Sequence, residues 1–100
     1  MRTGLVTDPL FLRHDTGPGH PERPGRLAAA LSALEGLPLE RIEARDATRA
    51  ELCAAHAPDY VASLESRIAA GARQLDPDTA VCRDSWAAAV RAAGAAIALG

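Results

Sequence analysis

The stretch that decides the fold runs from His14 to Leu27 and reads H-D-T-G-P-G-H-P-E-R-P-G-R-L. It places two histidines and three prolines between an apolar run and an Ala/Leu-rich helical pattern. A proline fixes its own φ and restricts the preceding residue, so His20 and Arg23 are pushed toward extended conformations. Gly17 and Gly19 supply the opposite freedom, because glycine tolerates positive φ. We therefore expect a loop of one defined shape that presents polar side chains, and such loops often carry function.

The pattern outside this loop predicts short strands that alternate with helices. In chain order we expect a strand at 5–7, a helix over about 22–34 that ends at Gly36, and a strand at 41–44. The capping box Thr48–Glu51 opens a short helix that Pro58 ends or interrupts, and a further helix around 61–68 closes at Gly71. Residues 72–83 are predicted to be a loop. The last helix has Asp84 or Ser85 as its N-cap and an inward face of Trp86, Val90, Ala93 and Ile97. Such alternation indicates an α/β fold with a parallel sheet.

Composition narrows the class of protein. Alanine dominates the 48% apolar content, and Phe, Trp, Tyr and Met occur once each, so the core is expected to be thin. A net charge of −2 gives no indication of a nucleic-acid partner. Cys53 and Cys82 form no CxxC pair, and no signal peptide or membrane span precedes the loop. We therefore expect reduced thiols, a cytoplasmic location and no membrane partner.

The histidines do not predict a metal site within these residues. His14 and His20 are six residues apart in a loop, and His56 follows a helix. None shows the spacing that places two ligands on one helix face. A structural or exposed position is the favoured interpretation for His14, and His56 is expected to be a partly buried histidine at a helix end.

The loop carries a family resemblance. Gly17–Leu27 (G-P-G-H-P-E-R-P-G-R-L) resembles the first active-site loop of the zinc-dependent histone deacetylase family. It is closest to the class II and bacterial branch, which includes acetoin-utilisation proteins and acetylpolyamine amidohydrolases. Further segments resemble the family's opening strand, its H-x-x-x-Y-[VI] element, and its second loop with the following helix: Gly4–Pro9, His56–Val61, Leu75–Val81, Ser85–Trp86 and Ala92–Ala96.

The resemblance implies a fold and an activity. The fold is the N-terminal part of an arginase/deacetylase-type three-layer α/β fold with a parallel sheet, mostly helical in this portion, and residues 1–100 are an incomplete deacetylase domain. The activity is zinc-dependent hydrolysis of acetyl-lysine or acetylated amines. In the family an Asp-x-His pair, a further Asp, a His-His pair and a Tyr do this work, all downstream of the region matched here. No catalytic residue and no zinc ligand is therefore expected in this chain, which alone should be inactive.

The resemblance also implies two substrate-binding residues. His20 takes the position at the mouth of the active-site tunnel, where it contacts substrate; its alternative is a loop organiser that hydrogen-bonds across the turn. Asp78 takes the rim position, where a carboxylate accepts hydrogen bonds from the substrate backbone. Asp76-Pro77-Asp78-Thr79 is also an ordinary turn sequence, so Asp78 is alternatively a turn cap.

The remaining loop residues are expected to shape a channel. Arg26 resembles the arginine that lines the internal channel beneath the zinc, where its guanidinium either gates an anion or ties loop carbonyls together. The other residues with a channel or loop-structuring role are Pro21, Glu22, Arg23 and Pro24.

One rival interpretation belongs to a different class: a small, self-contained helical interaction module without catalysis. Such a module would bury Leu5, Val6 and Ile42 internally, whereas part of a larger domain would leave strand edges unpaired. Asp59–Tyr60 is expected to pack between helices in either case.

Overall fold

The computed structural model describes residues 3–17, 19–20, 22–76 and 79–100. Pro21 and Asp78 lie outside the described residues, so their predicted roles stay predictions. The chain forms strand β1 (Gly4–Val6), a 3₁₀ helix (Pro9–Arg13), α1 (Pro24–Ala33), β2 (Glu40–Ile42), α2 (Arg49–Ala55), α3 (Pro58–Ala69), β3 (Gln74–Asp76), β4 (Thr79–Ala80) and α4 (Ser85–Leu99). About half of the residues are helical. Within the described ranges, no helix has both the length and the apolar character needed to cross a bilayer.

The predicted parallel pairing is confirmed. Leu5 of β1 lies opposite Arg41 of β2, and the N–H of Glu40 donates to the carbonyl of Thr3 at 2.8 Å. Parallel neighbours need a crossover connection, which the 3₁₀ helix and α1 provide here. This small sheet brings the 3₁₀ helix and the loop after it alongside α4.

An antiparallel hairpin in the second half of the chain was not predicted. β3 and β4 pair within the stretch 72–83 that the sequence assigns to a loop, with Gln74 opposite Ala80 and Asp76 opposite Thr79. The prediction was wrong because the strands have only three and two residues, with an irregular register between them. Such strands are too short to show an alternating pattern.

The helix boundaries follow local signals. Arg23 is extended (φ −154°, ψ 158°), as expected before a proline, and Pro24 opens α1. Gly36 and Gly71 have φ of +83° and +95° just beyond α1 and α3, the conformation glycine adopts most easily. Pro58 does not interrupt a helix: it begins α3 directly after α2 has ended.

The inward face of α4 differs from the prediction. The residues that α4 buries are small, namely Ser85, Ala88, Gly94 and Ala95, whereas Ile97 of the predicted face is 43% exposed. A Cβ built on Gly94 would lie 1.9 Å from the carbonyl oxygen of Arg45, so the backbones of α4 and the 45–47 segment are in direct contact. The N–H of Ala47 donates to the carbonyl of Val90 at 3.0 Å across the same contact. The buried face of α4 is therefore determined by the close approach of its backbone to the 45–47 segment, which only small residues allow.

The core is thin, as the composition predicts. The buried apolar residues are Ala47, Val61, Ile68, Val81, Ala88 and Ala95, and no large side chain of the described residues is fully buried. Leu5, Val6 and Ile42 of the parallel sheet are only half-buried.

The capping box of α2 forms as predicted and extends to an arginine. The N–H of Glu51 donates to Thr48 Oγ1 at 3.1 Å, and the N–H of Thr48 donates to Glu51 Oε1 at 2.9 Å. The Arg45 guanidinium donates to both carboxylate oxygens of Glu51 at 2.8 Å. Chiefly because of Arg45, and then because of the Thr48 backbone, the pKa of Glu51 is lowered from 4.5 to about 2.

This lowered pKa predicts an acid-dependent contribution to stability. A carboxyl whose pKa is lower in the folded state stabilises the fold above its unfolded pKa, and that stabilisation is lost as the pH falls through the folded pKa. The thermal midpoint of Glu51→Gln should therefore lie below that of the wild type above about pH 5, and the difference should close between pH 4.5 and about 2. Thermal unfolding at a series of pH values tests this, with exposed Glu43→Gln as the control. A difference that does not depend on pH would contradict it.

Candidate functional site

The polar loop 14–23 is closed by its own hydrogen bonds. Asp15 Oδ1 accepts from the N–H of Gly17 at 2.9 Å, and the Thr16 hydroxyl donates to the carbonyl of Glu22. Gly17 and Gly19 have φ of +102° and +77°, which confirms that the turn uses the freedom of glycine. The loop therefore has a defined shape, as its prolines and glycines predict.

His20 organises this loop through one ring nitrogen. Its Nδ1 lies 3.0 Å from the N of Glu22 and 3.1 Å from the carbonyl oxygen of the same residue. A neutral ring nitrogen either donates or accepts. Because Thr16 already donates to the Glu22 carbonyl, both Glu22 groups are satisfied when Nδ1 accepts from the N–H. Nε2 then carries the proton and does not contact Glu22. His20 can therefore organise the loop through Nδ1 and contact substrate through Nε2; the substrate contact stays a prediction.

Side chains at and just before the N-terminus of α4 hold the loop against this helix. These contacts were not predicted from the sequence. His14 Nδ1 lies 2.7 Å from Ser85 Oγ. The Cys82 thiol donates to the carbonyl of Arg13 at 3.0 Å and accepts from the N–H of Asp15 at 3.2 Å. Ser85 is buried, with 5% exposure. These partners are 67 to 71 residues apart in the chain, so no local pattern could have revealed them.

A groove of about 590 Å³ lies between the loop and α4. Of the predicted channel or loop-structuring residues, Glu22, Arg23, Pro24 and Arg26 all line this groove. The other lining residues are mainly apolar: Phe11, His14, Leu27, Ser85, Ala88, Ala89 and Ala92. The predicted residues therefore share one concave surface, whose lining includes both charged groups and small side chains.

The described residues do not fit a zinc site by themselves. In the described ranges, no three His, Cys, Asp or Glu side chains come close enough together to hold a metal ion. His14 instead contacts Ser85 and Glu22, and Cys82 contacts backbone groups and Ser85. Any zinc would therefore need ligands from elsewhere.

Two predictions about the H-x-x-x-Y element are wrong. Tyr60 is 53% exposed and does not pack between helices, and His56 at the end of α2 is exposed where partial burial was expected. Their rings face each other with centroids 5.7 Å apart. His56 is the residue that caps the end of α2 and Tyr60 lies in the first turn of α3, so this contact spans the break between the two helices.

The comparisons with known proteins agree on one family. Residues 20–100 match the family model described as the histone deacetylase domain. The uncharacterized protein slr0245 of Synechocystis sp. is 35% identical over 89 residues, which cover 82% of this chain and 29% of that protein. The crystal structure of the HDA15 HD domain matches with a TM-score of 0.80 and 30% identity over 94% of this chain and 29% of that chain. The predicted fold class is thus confirmed, and the chain spans less than a third of the length of either match.

Proposed function

Because this chain belongs to the histone deacetylase family, we propose that it is the N-terminal segment of a deacetylase domain that hydrolyses acetyl-lysine or acetylated amines. The match of residues 20–100 to the family model carries this proposal. The location of four predicted channel residues in one groove supports it. In this proposal residues 1–100 supply the entrance loop and part of the channel wall.

The proposal includes zinc held by residues outside these 100, since the described residues bring no three ligands together. The enzyme is placed in the class II and bacterial branch because of the H-P-E-R-P run at 20–24. A cytoplasmic location is proposed because Cys53 and Cys82 are both free thiols. Its partner is the acetylated substrate, with neither nucleic acid nor membrane involved.

Arg26 is the groove residue whose chemistry best suits a channel. A guanidinium stays charged in any protein environment and offers five donors, so it can bind a carboxylate such as acetate. It lines the groove together with Ala88, Ala89 and Ala92 of α4, whose side chains are small. We propose that Arg26 binds the released anion, with Glu22, Arg23, Pro21 and Pro24 fixing the loop around it.

The rival interpretation, a self-contained helical module, has less support. Such a module would bury Leu5, Val6 and Ile42, yet all three are only half-buried in the parallel sheet. Because Leu5 and Val6 point to opposite faces, both faces of this sheet are half-exposed, which suits further layers of a larger domain.

The test is an assay of the complete protein that contains this segment. We expect turnover of a fluorogenic acetyl-lysine peptide or of an acetylated polyamine, loss of turnover after dialysis against a chelator, and recovery on addition of zinc. The 100-residue chain should give no turnover with either substrate at any zinc concentration. A folded, zinc-loaded complete protein that hydrolyses neither substrate would overturn the proposal, as would turnover by the 100-residue chain.

A further inference from the structure

Four polar groups are linked one to the next by close polar contacts that run from the start of α4 to the loop. The N–H of Cys82 donates to Ser85 Oγ at 2.7 Å, and Ser85 Oγ lies 2.7 Å from His14 Nδ1. On the other side of the ring, His14 Nε2 lies 3.2 Å from Glu22 Oε1. All three side chains line the same groove.

The hydrogen atoms in this series of polar contacts can be assigned by starting from its two ends, Glu22 and the Cys82 N–H. An ionised Glu22 carboxylate only accepts, so His14 Nε2 must donate to it. In the neutral ring Nδ1 is then an acceptor. The Ser85 hydroxyl accepts from the Cys82 N–H and donates to Nδ1 at 2.7 Å in preference to Cys82 Sγ, a weaker acceptor at 3.5 Å. Every group is satisfied, and all the bonds point from the start of α4 toward Glu22. Hydrogen bonds aligned in this way strengthen one another.

Glu22 connects this series of polar contacts to the rest of the loop. Its carboxylate contacts His14, its N–H lies 3.0 Å from His20 Nδ1, and its carbonyl accepts from the Thr16 hydroxyl. A displacement of the His14 ring would therefore move Glu22 and His20 together.

We propose that His14 is a positioning residue that, as the neutral Nε2–H tautomer, holds Glu22 and through it His20 in register with α4. The proposal rests on the deacetylase function proposed above, in which His20 borders the substrate entrance. The order carboxylate, histidine, serine also occurs in hydrolytic triads. Here, however, Ser85 is only 5% exposed, and its Oγ already accepts from a backbone N–H. Positioning is thus the role that the geometry favours over nucleophilic attack.

Three variants test the contact between His14 and Glu22. In His14→Asn the side-chain amide lies near the position of Nδ1 and can keep the Ser85 bond, whereas the Glu22 contact is lost. Glu22→Ala loses the same contact from the other side, and Glu22→Gln retains an oxygen that accepts from Nε2–H. Glu22 is 65% exposed, so its variants should fold. His56→Asn is the control, since His56 is exposed and outside the groove.

In the complete protein we expect His14→Asn and Glu22→Ala each to raise KM roughly tenfold with little change in kcat, because one contact to a charged group is lost. The double variant should cost no more than either single one, and Glu22→Gln should restore most of the wild-type KM. NMR of protein with labelled histidine should show His14 as the Nε2–H tautomer.

Additive effects of the two substitutions would overturn the proposal, as would the Nδ1–H tautomer or labelling of Ser85 by a fluorophosphonate probe. The tautomer does not depend on turnover. A protein with the expected tautomer but no deacetylase activity would therefore contradict the proposed function and leave the hydrogen-bond assignment in place.

Discussion

Replacing Gly94 by alanine should lower the free energy of unfolding by about 3 kcal/mol, near the upper end of what overpacking costs. The added Cβ would lie 1.9 Å from the carbonyl oxygen of Arg45 and 2.7 Å from the N of Ala47. Both are backbone atoms, so no side chain can rotate away to make room. The 45–47 segment cannot retreat without breaking the bond from the Ala47 N–H to Val90. At a helix position with room for a methyl group, the same change stabilises the fold by about 1 kcal/mol. A loss of stability would therefore show that there is no such room at Gly94.

Gly25→Ala in α1 is the matched control, because it adds the same methyl group to another helical glycine. Its Cβ would meet the Arg23 guanidinium at 2.7 Å, and that flexible side chain can move. We expect an effect between zero and a gain of about 1 kcal/mol. Denaturant-induced unfolding of the purified proteins measures both changes. Equal stability of the two variants would show that α4 does not approach the 45–47 segment as closely as described.

Replacing Asp78 by alanine in the complete enzyme should lower kcat/KM by roughly tenfold or more, since hydrogen bonds to a charged group are worth about 1.5–3 kcal/mol each. This prediction comes from the rim position that the family resemblance assigns to Asp78. The resemblance also implies an exposed rim position, so we expect the same change to cost less than about 1 kcal/mol of stability. Kinetics on acetyl-lysine peptides, together with thermal unfolding, give both quantities.

Asp76→Ala removes the same charge two positions earlier in the chain and serves as the control. Asp76 belongs to β3 and lies opposite Thr79, so it is expected to affect stability more than catalysis. Peptides with N-methylated backbone amides cannot donate to a rim carboxylate and should be insensitive to Asp78→Ala. If Asp78→Ala instead lowers stability and leaves kcat/KM unchanged, Asp78 is a turn residue.

The features that the sequence predicted well depend on neighbours along the chain. The capping box of Thr48 and Glu51 and the glycine after each of α1 and α3 are fixed within a few residues, so a single sequence reveals them. The family resemblance predicted channel or loop-structuring roles for further loop residues, and four of them, Glu22, Arg23, Pro24 and Arg26, line the groove.

The features that the sequence did not predict depend on distant partners. The buried face of α4 is selected by contact with the 45–47 segment, about 50 residues earlier, where a missing Cβ matters more than a large apolar side chain. The Cys82 and Ser85 contacts with the loop are separated by still more of the chain. Periodicity carries no information about such contacts.

The docking of the loop onto α4 also imposes an order on folding. The groups that hold residues 13–15 belong to Cys82 and Ser85, which are synthesised about 70 residues later. At about 5–20 residues per second, the loop is synthesised roughly 4 to 14 s before its partners are. Closing so long a segment is entropically costly, so the contacts between the loop and α4 should form late, after the local hydrogen bonds of the loop and after α4 itself. The loop that we propose to border the substrate entrance would then be among the last of these residues to reach its position against α4.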